Sequence, residues 1–265
     1  MVKRNAETDT AQRVAVVTGG SSGIGEAIAR RLAGRGWQCV LLARGLERLE
    51  TVAGSIGAEA EQCDVADRGQ VDRVAAQVLE RHPRIHLLVN NAGIPGGGGF
   101  VDLDVERIEL VTRVNYLGSV WALRAFLPGL ERAVPSDVVT IASVAGTISV
   151  GASGPYSAAK HAQLAFSRSV AFELAPRGIR VHSIAPGWVD TDRFPDHTLG
   201  RALPDWVVID PDRVAKAVLR ALDRNRREVF VPAWYRPVPV LHALAPGLAA
   251  RLLSFARERR MRALR

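Results

Sequence analysis

The sequence predicts an α/β fold: one domain built on a doubly wound parallel sheet, followed by a basic, apolar C-terminal tail. Three observations predict it. Short apolar runs alternate with helical stretches from residue 13 to about residue 232, and a β-α-β-α order puts helices on both faces of a parallel sheet wound by right-handed crossovers. Most of the runs are nearly continuous Val, Ile, Leu and Ala, as in strands buried on both faces. The 265 residues are 48% apolar and 23% charged, globular values in a chain long enough to bury a full core.

The elements follow in order. Residues 13–18 form the first strand and run straight into TGGSSGIG (18–25), which opens a helix over 23–35. Strands at 37–42, 58–63, 85–90, 136–142, 179–185 and 227–232 alternate with helices at 45–56, 67–81, 103–131, 154–175 and 210–224. The last helix has a clear start, with Asp210 as N-cap and Pro211 in the first turn. No Pro/Gly/Ser linker interrupts residues 10–232, so the division is a flexible start (1–11), a catalytic-size domain (12–232) and a tail (233–265). Two insertions stand out, GIPGGGG (93–99) and residues 187–209. The second leaves the carboxyl end of the sixth strand, where open α/β sheets bind ligands, and is a candidate lid. Its Phe194, Leu199, Leu203, Trp206, Val207, Val208 and Ile209 either close an apolar pocket over a hydrophobic substrate or pack against the body.

Charge and composition exclude several classes. Residues 224–265 hold ten arginines against Glu228 and Glu258, which accounts for the whole net charge of +8. The first 223 residues are balanced, so no basic body is present to attract nucleic acid. Cys39 and Cys63 make neither a disulfide framework nor a CxxC zinc site, and their burial in strands reads as small hydrophobes. The six histidines show no metal spacing. The polar start has no apolar run of a signal peptide, and the charge-free run 138–159 carries glycines and Pro155 that suit no transmembrane helix. The expected compartment is the cytoplasm.

Three motifs carry chemistry. In TGGSSGIG, glycines 19, 23 and 25 allow a tight turn whose bare N–H groups approach a pyrophosphate at a helix N-terminus. A purely structural strand-to-helix turn has the same glycines. The second strand ends at Ala43-Arg44, a cation and no acid where an NAD site has its acid, so Arg44 suits a 2′-phosphate or is simply solvated. Tyr156 and Lys160 stand one helical turn apart, and a neighbouring cation favours the phenolate. Two such residues on a helix are otherwise ordinary surface.

TGGSSGIG, NNAG (90–93), Asn115, Ser143 and Tyr156-x-x-x-Lys160, in this order and at these separations, resemble the short-chain dehydrogenase/reductase family. Asp64-Val65 after the third strand and Pro186-Gly187 with Thr191 after the sixth match as well, and the resemblance covers roughly residues 12–232. It implies a Rossmann-type fold and hydride transfer between a nicotinamide cofactor and a carbonyl or secondary alcohol. In that pattern Tyr156 is the general acid and base, and Ser143 hydrogen-bonds the substrate oxygen. Lys160 holds the nicotinamide ribose and depresses the Tyr156 pKa, and Asn115 anchors a proton-relaying water. The cofactor-binding set is Gly19, Ser21, Ser22, Gly23, Ile24, Gly25, Arg44, Asp64, Val65, Asn91, Ala92, Gly93, Tyr156, Lys160, Pro186, Gly187, Val189 and Thr191, with no metal. Asn90 reads as structural, tying neighbouring strands.

Arg44 favours NADP(H) over NAD(H), and the lid favours a lipophilic substrate. The rivals are a non-catalytic nucleotide sensor or scaffold, against which the complete tetrad argues, and an epimerase or dehydratase relative. The resemblance also implies a homodimer or homotetramer, with Leu110, Val114, Leu117 and Trp121 as an apolar seam that either joins subunits or faces the sheet. In the tail, residues 237–250 are uncharged and their three prolines forbid one continuous helix. From Leu248 a short amphipathic helix with clustered arginines suits an anionic membrane surface, or the tail packs on the lid or a neighbouring subunit.

Overall fold

The computed structural model describes residues 12–149, 153–192 and 207–247. Seven strands, β1 (Val14–Thr18), β2 (Gln38–Ala43), β3 (Glu59–Gln62), β4 (Leu87–Asn90), β5 (Ser136–Ile141), β6 (Ile179–Pro186) and β9 (Glu228–Val231), form one parallel sheet in the order β3-β2-β1-β4-β5-β6-β9. All seven coincide with the runs expected from sequence. Between β6 and β9 lie two short strands the sequence reading did not anticipate, β7 (Trp188–Val189) and β8 (Val208–Ile209), which pair only with each other. They staple together the two ends of the candidate lid. Phe194, Leu199, Leu203 and Trp206 lie outside the described residues.

The strands alternate their side chains between two cores, as a period of two requires. Val14, Val16, Val40, Leu42, Leu88 and Val138 face one side, covered by α3 (Arg68–Arg81), α5 (Gly118–Arg132) and α6 (Gly154–Leu174). Ala15, Val17, Leu41, Leu87, Val89 and Ile184 face the other, covered by α1 (Gly23–Ala33), α2 (Leu46–Ile56) and α7 (Pro211–Asp223). β3 breaks the apolar pattern because it is an edge: Glu59 and Glu61 point to Arg81 rather than into a core, and such charges blunt the pairing potential of an exposed strand. Asp210 does cap α7, its carboxylate accepting the Asp212 N–H at 2.6 Å.

The long helix expected over 103–131 is divided. α4 (Val105–Thr112) is joined to α5 by a π-helical turn, Arg113–Leu117. π-turns cluster at functional sites because the extra residue re-aims a side chain, and this one turns Asn115 fully inward. Of the apolar seam, Val114 is buried in the core, Leu110 and Trp121 are half-buried and pack against it, and Leu117 is half-buried. The prolines of the tail behave as position dictates. Pro237 and Pro239 occupy the first turn of α8 (Pro237–Leu244), where no N–H is needed, and the helix ends before Pro246. Among the described residues no helix is long and apolar enough to cross a membrane.

Candidate active site

The sheet reverses its winding between β1 and β4, and ligands in such folds bind outside the carboxyl ends at that point. The loops leaving β1, β4, β5 and β6 carry the expected residues to this one edge. Thr18, at the end of β1, organises the first two. Its hydroxyl donates to the Val89 carbonyl at 3.2 Å and accepts the Asn91 and Ala92 N–H groups, each at 3.0 Å. Asn91 returns the contact, its amide donating to the Thr18 and Gly19 carbonyls at 2.9 and 3.2 Å. Asn91 is therefore the residue that ties the strands, not Asn90 as expected. Asn90 reaches the Ser119 carbonyl on α5 at 3.3 Å instead, and its buried Oδ1 has no partner in the structure.

The glycine turn is shaped as a cradle. Gly19 and Gly23 have φ of +67° and +55°, a region other residues enter only with strain. A Cβ on Gly19 would lie 2.9 Å from the Ala92 Cα, and one on Gly23 2.9 Å from the Thr191 methyl. Gly25 lets α1 pack on the turn, since its Cβ would sit 2.2 Å from the Gly19 carbonyl. Ser22, the residue before α1, makes no side-chain cap, so the helix N-terminus presents bare N–H groups. Ser21 is buried and Ile24 packs against the core beside them. Thr191, at the base of the lid, forms the second lip of the cleft with Pro186, Gly187 and Val189 below it.

Arg44, at the far end of β2, is exposed, and its guanidinium has no ion-pair partner among the described residues. Asp64 spends one carboxylate oxygen on the Ala66 N–H at 2.9 Å. Val65 is buried against Gly118. A dinucleotide fits this set: a glycine cradle that side chains would fill, bare helix N–H groups and a cation at the adenosine end.

The catalytic candidates converge through packing of the β5 loop on α6. Ser143 caps a 3-10 turn, Val144–Gly146, accepting the Ala145 N–H at 3.1 Å. A Cβ on Gly146 would lie 2.7 Å from the Lys160 carbonyl, so the turn rests directly on the helix backbone. Tyr156 hydrogen-bonds to Ser143. The Lys160 ammonium is buried, 6.0 Å from the centre of the Tyr156 ring, and donates to the Ile141 carbonyl at 2.9 Å and the Gln163 amide oxygen at 2.8 Å. Asn115 is paired on both sides with Ile94, accepting its N–H and donating to its carbonyl, each at 2.9 Å. Gly93 fits between them, its missing Cβ 2.8 Å from Asn115 Oδ1 and 3.8 Å from Lys160 Nζ.

One expectation changes here. Lys160 was expected to depress the Tyr156 pKa, but burial dominates and raises it, the bond to Ser143 acting the other way. Burial also pushes the Lys160 ammonium down, to about 7. The Asn115 amide gives one donor and one acceptor bond to Ile94, which leaves a second N–H and a second lone pair uncommitted by that pairing. The cysteines conform: both are buried, with thiols pushed up to about 12 at Cys39 and about 11 at Cys63.

Sequence reasoning missed three site residues. Thr18 gives no signal beyond its place at a strand end. Gln163 was legible as the i+3 neighbour of Lys160; it also donates to Ser119 at 2.6 Å. Arg107 donates to the Pro95 and Gly96 carbonyls at 2.6 and 3.3 Å. It thereby holds the glycine run against Tyr156, whose Cβ lies 3.2 Å from where a Gly96 Cβ would be. A cavity of about 390 Å³ lies at the opposite edge, lined by Arg13, Arg35, Trp37, His86, Asp137 and Arg180 among others. Arg35 and Arg180 are already bound by Asp223 and Asp137, so its charges serve the fold.

Comparison with known proteins agrees with this geometry. A family model described as short chain dehydrogenase matches residues 13–200. An uncharacterized oxidoreductase of Staphylococcus epidermidis is 34% identical over 229 residues, 86% of this chain and 98% of the relative. A variant of the actinorhodin polyketide ketoreductase, solved with NADPH, superposes with a TM-score of 0.75 at 31% identity, covering 83% of this chain and 95% of its own. A short chain dehydrogenase/reductase from Burkholderia phymatum, solved with NAD, superposes with a TM-score of 0.78 at 25% identity, covering 89% and 95%.

Proposed function

The chain belongs to the short-chain dehydrogenase/reductase family, and on that basis we propose that it is an NADP(H)-dependent reductase of a lipophilic ketone or aldehyde. The family membership makes it an oxidoreductase acting on CH–OH or C=O groups with NAD(P). The observation that carries the finer reading is the meeting of Ser143, Tyr156, Lys160 and the Asn115–Gly93 contact at the edge where the glycine cradle opens.

When bound, the nicotinamide supplies or accepts the hydride. The protein supplies the proton and the geometry. Tyr156, its phenol raised by burial, keeps its proton at neutral pH and delivers it to the carbonyl oxygen as the hydride arrives. Ser143 donates a hydrogen bond to the same oxygen, where negative charge develops. Lys160 holds the ribose hydroxyls and returns the proton to Tyr156. Gln163 and the Ile141 carbonyl set the position of its ammonium.

Arg44 supports the choice of NADP(H), because an exposed guanidinium with no carboxylate partner among the described residues suits a 2′-phosphate. An Arg–phosphate contact contributes ~1.5–3 kcal/mol, so Arg44→Ala should lower kcat/KM for NADPH about 10–100-fold and leave NADH within a few-fold. Steady-state rates with both cofactors check this. A wild type that prefers NADH sinks it. Consumption of NADPH against a panel of ketones and aldehydes tests the activity itself: turnover of none, with the cofactor bound, favours the sensor reading.

The homodimer or homotetramer is part of the same proposal. Its support is the apolar surface left on the helices that family members use, Val105 of α4 at 65% exposed and Phe172 of α6 at 72%. Light scattering at micromolar concentration should give a multiple of 28.6 kDa; a monomer alone excludes the assembly. Membrane contact through the tail concerns residues 237–265, of which 248–265 lie outside the described residues.

A further inference from the structure

The chain beyond β9 returns to the cleft through one residue. Gly187 begins the loop after β6, and its N–H donates to the Val231 carbonyl at 2.9 Å, so the end of the last strand lies beside it. The chain then passes through a 3-10 turn, Ala233–Tyr235. That turn brings the Tyr235 ring onto Gly187: a Cβ there would lie 2.3 Å from Cε2, 2.7 Å from Cζ and 2.8 Å from the hydroxyl oxygen. Trp234 stacks on Tyr235, with ring centres 3.8 Å apart and planes at 28°.

Gly187 does not have a left-handed φ, so its backbone would accept any residue. The Tyr235 ring is what forbids a side chain. General core packing does not explain the contact. Tyr235 is only half-buried, Trp234 is 44% exposed, and no residue of α8 beyond them is buried. The Tyr235 ring covers Gly187, and the loop from there leads within four residues to Thr191, which lies against Gly23 of the cradle. One wall of the cleft therefore rests on Tyr235.

We propose that Tyr235 is a positioning residue of the cofactor cleft: its ring sets the depth of the Pro186–Gly187 turn, and the segment after the last strand completes the site. The inference rests on reading the cleft as an NADP(H) site. Tyr235 lies beyond residues 13–200, which the family model matches.

The test uses the full-length protein as wild type, Tyr235→Phe, Tyr235→Leu, Gly187→Ala and the double variant Gly187→Ala with Tyr235→Leu. NADPH affinity is read from nicotinamide fluorescence, KM and kcat from steady-state rates, and folding from the melting temperature. Tyr235→Phe keeps the ring and should bind NADPH within about twofold of wild type. Tyr235→Leu keeps apolar volume without the ring and should fold, bind about tenfold more weakly and turn over more slowly, since a shift of ~1 Å at the reacting atoms costs ~10²-fold. Gly187→Ala should lose at least as much, and the double variant should recover most of that loss because leucine vacates the space the new methyl needs. The pH dependence assigned to Tyr156 should not move in any of them. Tyr235→Leu binding and turning over like wild type overturns the inference, and so does a double variant no better than Gly187→Ala. A variant that only melts earlier, with NADPH affinity per folded molecule intact, also overturns it. A wild type that binds neither NADPH nor NADH overturns the cofactor reading instead.

Discussion

Tyr156→Phe is expected to lower kcat by about 10²–10⁴-fold while leaving NADPH affinity within a few-fold of wild type. The substitution removes one oxygen and keeps the ring, so the packing of Gly96 against the Tyr156 Cβ survives. What is lost is the proton donor and its hydrogen bond to Ser143. Burial raises the phenol, so the wild type should hold its reductive rate through neutral pH and lose it only at alkaline pH, as the acid form is depleted. The variant should show a small rate without that alkaline limb. Single-turnover rates of NADPH oxidation with any accepted ketone measure this. A variant with wild-type kcat would remove Tyr156 from the chemistry.

Lys160→Met carries the second large effect, and it has two signs. Activity should fall by about 10²–10³-fold, the usual cost of deleting a preorganised donor. Stability should rise. The Lys160 ammonium ordinarily titrates near 10.5 and burial lowers it to about 7 in the fold. Between pH 7 and 10.5 the unfolded chain therefore binds more protons than the native one, so wild-type stability climbs with pH across that window. Below pH 7 both states carry the charge and the burial penalty is felt in full. Methionine removes the penalty but takes the lysine donor from both the Gln163 amide oxygen and the Ile141 carbonyl, a cost of ~1–3 kcal/mol for each one left unpaired. The gain in melting temperature over wild type should be largest at pH 6–7 and shrink towards pH 10. Equal differences at both ends would show that the ammonium is not held in a desolvated site.

The residues of the site were legible to different depths, and the contrast between Asn91 and Asn90 shows why. The spacing of NNAG identifies the loop, but which amide faces Thr18 and which faces α5 depends on the parity of β4 against β1. That parity is a property of the assembled sheet. Tyr156 and Lys160 share a helix face by spacing alone, whereas the direction of the Tyr156 pKa is set by how much protein surrounds it. Spacing suggested a cation lowering it; burial of the phenol raises it instead.

By itself the sequence determined the chain order and type of all seven sheet strands, the glycine turn and the Asp210 cap. These follow from local periodicity, turn chemistry and spacing, which act over a few residues. The tertiary structure alone decided the π-turn that buries Asn115, the inward facing of Val114, the pairing of β7 with β8, and the contact of Tyr235 with Gly187. Each of these joins segments far apart in the chain, and each is set by packing and desolvation, which arise only when those segments meet.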